Sequence, residues 1–197
     1  MLRSLRIGML LGLIGISGLV AARTSEDHPR VVVSVINNAD VDVKALEQAE
    51  EVASRIYQQA GLSIVWNNCA IQTGAGRCIW SVDSHNLVLR IERQPRTLSN
   101  DAYGVAFLGA DGNGAYCDVF YDRIVDLHRR GRASQAAILG IVAAHELGHL
   151  LLGSHAHSSA GVMRPQLAER EFSTPGFGLA VFNHQQAQRI TGRLKQD

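Results

Sequence analysis

The stretch QAAILGIVAAHELGHLLLG, residues 135–153, most constrains what this chain can fold into. Ile138, Ile141, Val142, Ala144, Leu147, Leu150 and Leu151 cover much of a helical circumference, which predicts a helix buried on nearly all sides. Ser134 stands where an N-cap is expected, and Gly153 where a helix ends in a left-handed turn. Within this apolar helix His145, Glu146 and His149 share one turn as an H-E-x-x-H motif. Buried polar groups need partners. Imidazoles four residues apart project from one helical face and suit two ligands of one metal ion. A carboxylate one residue round from the first histidine can take a proton from a metal-activated water without binding the metal itself. The motif supplies ligands and general base together, with Zn2+ as the expected cofactor.

The chain opens with Arg3 and Arg6, an uncharged run from Ile7 to Val20, and small Ala21 and Ala22 before Arg23. That order is expected of a secretory signal peptide cut after Ala22, and the run is short for a stable membrane span, with an uncleaved anchor as the competing reading. Residues 1–22 are therefore set apart as a leader, and 23–197 are expected to form a single exported domain, periplasmic or extracellular. Without Arg3 and Arg6, the 19 basic and 18 acidic residues become 17 and 18, a balance that points to neither nucleic acid nor an anionic membrane. In an exported chain Cys69 and Cys78 could close the loop CAIQTGAGRC, which leaves Cys117 as a buried small apolar residue. No pattern in the chain specifies an oligomeric state.

The first strand is expected at 31–36, VVVSVI, as a run covered on both faces. Val43, Leu46, Ala49, Val52, Ala53, Ile56, Tyr57 and Ala60 predict a packing helix capped by Asp42 and stopped at Gly61. LSIVW at 62–66 follows, and strand, helix, strand in this order implies a right-handed crossover and a parallel pair. Further strands are expected at 86–92 and 115–121, with YGVAF at 103–107 either a short edge strand open to an extended peptide or a surface loop with no partner. DRIVDLHRR reads as a short helix or turn with a solvated His128. Residues 183–194 read as a closing helix with an Asn183–Gln186 capping box and an exposed His184 on its first turn.

HELGHLLLGSHAHSSAGVMRP resembles the metzincin clan of zinc metallopeptidases, whose active-site helix carries H-E-x-x-H, breaks at a glycine, supplies a third histidine and is followed by a methionine turn. It is also similar to small exported bacterial proteins that combine an ASRIYQQAG…VW-type segment with HELGHLLLG…HS…GIM. The resemblance implies an α+β, metzincin-like fold: a twisted mixed sheet of about five strands, a packing helix, a zinc-binding helix, a Met-turn at Met163 and a C-terminal helix. It implies a secreted endopeptidase that hydrolyses protein or peptide substrates, with Glu146 as general base. Met163 would be an apolar floor beneath the metal, and Arg164 a surface residue rather than an oxyanion donor.

Two histidines compete for the third ligand position. His155 keeps the clan's six-residue spacing from His149 but lies only two past Gly153, which itself stands four after His149 instead of three. His157 lies four past the glycine, and its neighbours HSSAGVM match the HS…GIM of the small relatives, so His157 is preferred and His155 is the alternative. Glu169 stands at the distance where the thermolysin-like clan places a glutamate ligand, but LAEREF lacks the Asn-Glu-x-x-Ser-Asp pattern of that clan. A non-catalytic secreted zinc-binding structural or interaction domain is the alternative function, and the presence of Glu146 favours the enzyme.

Overall fold

The computed structural model describes residues 28–69, 85–95, 102–131, 133–165 and 180–195. The expected leader 1–22, Cys78 and Glu169 lie outside the described residues. Along the chain come β1 (Arg30–Asn37), α1 (Val43–Gln59), β2 (Ser63–Cys69), β3 (Asn86–Glu92), β4 (Gly104–Phe107), β5 (Tyr116–Phe120), α2 (Tyr121–Arg130), α3 (Gln135–Leu152) and α4 (His184–Arg193).

The strands form one mixed sheet in the order β2-β1-β3-β5-β4. The crossover through α1 makes β1 and β2 parallel, with Val33 opposite Trp66, and β1–β3 and β3–β5 are parallel too. Among the described strands only β4 runs antiparallel, paired with β5 along one side and standing last in the sheet order. Val31, Val33, Val35, Leu87, Leu89, Ile91, Cys117 and Val119 are buried in one core cluster with the helices. β1 is not covered equally on both faces: Val32 and Ile36, on the opposite side, stay half-exposed, although Ser34 between them is buried. Its unbroken β-branched run reflects strand propensity as much as two-sided burial.

Helix α1 begins where the sequence predicts, with the Asp42 side chain accepting from Lys44 N–H and Ala45 N–H. Helix α3 is capped by Ser134, and every residue from Ala136 to Leu152 is buried. By length and composition it could cross a membrane, yet it lies inside the core. The two helices meet at Gly140, where a Cβ would abut the Ala49 carbonyl oxygen and lie 2.7 Å from Val52 Cβ. One turn further on, the buried Tyr57 hydroxyl donates to the Ala144 carbonyl at 2.9 Å, which fixes the axial position of α3 on α1.

DRIVDLHRR belongs to a full helix, α2, and His128 is not solvated as expected. Gly131 turns the chain back after α2, so His128 is half-buried, with Nδ1 2.7 Å from the Ala133 carbonyl oxygen just before α3. The closing helix α4 shows both halves of the Asn183–Gln186 capping box.

Replacing Gly140 by valine should overpack the α1–α3 crossing and cost about 1–3 kcal/mol. Denaturant unfolding would show a lower midpoint with an unchanged slope; an unchanged midpoint would contradict this helix contact.

Candidate metal centre

The C-terminal half of α3 delivers His145 and His149 to one face, both buried. His145 Nδ1 lies 2.7 Å from the Val162 carbonyl oxygen, and His149 Nδ1 lies 2.8 Å from that of Ser154. A carbonyl oxygen can only accept, so each Nδ1 carries the proton and each Nε2 keeps its lone pair. The two Nε2 atoms face each other at 3.1 Å. Burial holds both rings below the ordinary histidine pKa, that of His149 at about 4 with help from neighbouring His145, so neither takes a second proton at neutral pH. Two lone pairs converge with no proton between them, and a bound cation satisfies both.

His157 completes the arrangement. One ligand atom from each of His145, His149 and His157 lies within 4.8 Å of the other two, a geometry able to hold a metal ion. The turn that brings His157 round begins at Gly153, left-handed at φ 62°. It is fixed further on by Ser158 N–H donating to the Met163 carbonyl at 2.8 Å and by Gln186 Nε2 donating to Ser158 Oγ at 3.2 Å. His155 stays outside the group, with its ring 5.8 Å from that of His149, at the rim of the same cleft. Met163 is fully buried against α3, its Sδ 2.7 Å from where a Cβ on Gly148 would stand.

Glu146 points to the sheet edge, where Ala106 N–H of β4 donates to its carboxylate. Burial outweighs that bond and raises its pKa to about 8. Room for the carboxylate comes from Gly104, where a Cβ would lie 2.6 Å from Glu146 Cγ. Sequence reasoning missed Gly104, Gly148 and the carbonyls of Ser154 and Val162. A glycine inside a helix or strand is a signal of close approach, whereas backbone carbonyls leave no trace in sequence. A cleft of about 680 Å³ runs between β4 and the turn after α3, lined by Tyr103, Gly104, Val105, Ala106, the four histidines, Glu146, Val142, Arg164 and Pro165. Cys117 is a buried free thiol on β5, and Cys69 is disulfide-bonded.

In the metal-free protein Glu146 and His149 make opposite contributions to stability. The folded pKa of Glu146 is raised, so its contribution is complete below about 4.5 and is lost as pH rises toward 8. The folded pKa of His149 is lowered, so its contribution is complete above about 6.5 and is lost as pH falls toward 4. Chelated wild type should therefore lose thermal stability from pH 6.5 to 8, and Glu146→Gln should flatten that decline; an equal decline in both would contradict a proton held on Glu146.

The chain matches no protein-family model, and no curated protein matches it by sequence. Solved structures do match. Archaemetzincin from Methanopyrus kandleri is similar at a TM-score of 0.53 and 13% identity, over 88% of this chain and 99% of that one. A zinc-dependent peptidase from Methanocorpusculum labreanum is similar at a TM-score of 0.52 and 12% identity, over 80% of this chain and 99% of that one. At these identities the likeness is one of fold, and it extends over nearly the whole of both neighbours.

Proposed function

We propose that this protein is an exported zinc endopeptidase of metzincin type, with His145, His149 and His157 as the metal ligands and Glu146 as the general base. The observation that carries the reading is the pair of deprotonated Nε2 atoms 3.1 Å apart beside a third histidine, in a turn that also holds a buried carboxylate. Two imidazoles held this way, each with its Nδ1–H on a carbonyl, have the tautomer that zinc coordination requires. A three-histidine zinc site keeps a position for water, lowers that water's pKa to about 7 and polarises a carbonyl. The fold likeness to a zinc-dependent peptidase and to archaemetzincin supports the same reading, and Met163, buried against α3 at Gly148, is the residue that would serve as the Met-turn.

The chain's own residues then do the following. The edge of β4, which pairs with no second strand among the described residues, borders the cleft and can pair with an extended substrate strand, so that the scissile carbonyl would lie over the histidine group. With a divalent ion held by the three histidines, Glu146 would return toward its ionised form. It accepts a proton from the attacking water, Ala106 N–H keeps the carboxylate aimed into the cleft, and the same carboxyl group later gives the proton to the leaving amine. The signal-like residues 1–22 and the disulfide at Cys69 support export to an oxidising compartment.

Purified mature protein should hold about one zinc per chain and cleave an unstructured polypeptide. Alanine at His145, His149 or His157 should abolish tight zinc binding, whereas His155→Ala should retain it. Loss of metal from the His155 variant alone would move the third ligand there. Glu146→Gln should keep its zinc and lose cleavage by about 10²–10⁴-fold. A wild type that holds zinc yet cleaves no more than Glu146→Gln would be a structural zinc domain instead.

A further inference from the structure

The end of α3 is locked to the hairpin between β4 and β5 through two left-handed glycines. Gly153 has φ 62°, and a Cβ there would lie 2.9 Å from the Gly112 carbonyl oxygen. Gly112 has φ 78°, and a Cβ there would lie 2.7 Å from the Gly153 carbonyl oxygen. The two chain reversals thus lie face to face with no room for a side chain on either. A single guanidinium from α4 covers the contact: Arg193 Nη1 and Cζ would be 2.6 and 2.7 Å from a Cβ on Gly153, and Nη2 donates to Asn113 Oδ1 at 3.1 Å.

The hairpin tip that Arg193 grips is itself stiff. Asp111 accepts from both the backbone N–H and the side-chain amide of Asn113, each at 3.0 Å, and Gly109 N–H donates to the Asn113 carbonyl at 2.8 Å. Those bonds from Asn113 hold the Asp111 carboxyl below its usual range. The guanidinium lies at the negative end of the α3 dipole, beside the last turn, which carries His149. Each side of the junction leads to the site. On one side Ser154, next to Gly153, offers the carbonyl that orients His149. On the other, β4 carries the Gly104 and Ala106 backbone that holds Glu146. Neither Arg193 nor Asn113 lines the cleft.

From this junction we infer that Arg193 is a positioning residue, which docks the β4–β5 hairpin on the end of α3 and so fixes the substrate-binding edge against the histidine group. The inference rests on the zinc-peptidase reading for what it positions, and on the junction alone for how. It needs no contact between Arg193 and substrate.

The test compares mature wild type with Arg193→Ala, Arg193→Lys and Asn113→Leu, well below their unfolding temperatures. Zinc affinity is read by chelator competition, site geometry by the visible spectrum of the cobalt(II)-substituted protein, and local opening by amide hydrogen exchange at Ala106 and Ser154. Arg193→Ala should bind zinc about tenfold more weakly, as losses of the groups that orient metal ligands do, shift the cobalt bands, raise KM more than it lowers kcat and speed exchange at both amides. Arg193→Lys should recover part of the affinity, since it restores the charge at the helix end but not the fork. Wild-type affinity, spectrum and exchange in Arg193→Ala would overturn the inference. Should that variant fail to fold, Asn113→Leu, at an exposed tip, decides by the same readouts. Should wild type itself bind no zinc, the peptidase reading fails, and exchange at Ala106 and Ser154 alone decides: faster in Arg193→Ala upholds the docking role, unchanged refutes it.

Discussion

A helix buried from Ala136 to Leu152 cannot turn a polar face to water, and this governs the rest of the molecule. Every hydrogen-bonding group on such a helix has to be answered by another part of the chain, because an unanswered one costs on the order of 1–3 kcal/mol. Three segments answer. The Ser154 carbonyl takes the His149 proton, the Val162 carbonyl takes that of His145, and the Ala106 N–H meets Glu146. After these bonds are made the two Nε2 lone pairs remain, and they are the part of the arrangement that the protein alone does not complete. In the sheet order β4 stands outermost beside β5, so the antiparallel strand, not one of the parallel ones, borders the histidines.

Close approach is bought with glycine. Gly140 lets α3 touch the α1 backbone, Gly148 admits Met163 against α3, and Gly104 leaves room for Glu146 beside β4. A helix-interior glycine costs about 0.5–1 kcal/mol relative to alanine, and α3 accepts that twice. Packing offsets it: Met163, Ile141, Leu147 and Ala144 have no exposed surface. Around this contact Tyr57 plays two parts, with its ring 5.1 Å from that of Phe182 and its hydroxyl on Ala144.

Much of this was legible in the sequence, because it rests on periodicity and on local chemistry. The caps at Asp42, Ser134 and Asn183 and the left-handed stop at Gly153 are short-range features, and each stands where the residues put it. The parallel β1–β2 pair follows from chain direction, and the edge position of β4 from its shortness between glycines. The histidine pair is a consequence of helical geometry. Its third neighbour was less legible, because spacing counted from His149 favours His155 while spacing counted from Gly153 favours His157; the structure gathers His157 with the pair and leaves His155 at the rim. His128 was misread because its partner, the Ala133 carbonyl, is brought to it by the turn at Gly131 and not by helical spacing. Contacts such as Arg193 on Gly153 join distant parts of the chain through a backbone, where no residue type announces them.

His145, His149 and His157, with the carbonyls of Ser154 and Val162 that orient two of them, all fall within residues 145–162. The groups that hold Glu146 come from β4, on the far side of α2 in sequence. Closing a short loop costs less chain entropy than closing a long one, and strand pairing at a sheet edge is among the more non-local contacts a chain makes. Formation of α3 and the turn after it therefore brings the three histidines near one another through short-range contacts, whereas the cleft has no wall until β4 pairs with β5. The histidine group is thus the product of a short stretch of chain, while the wall of the cleft beside it waits on the pairing of distant strands.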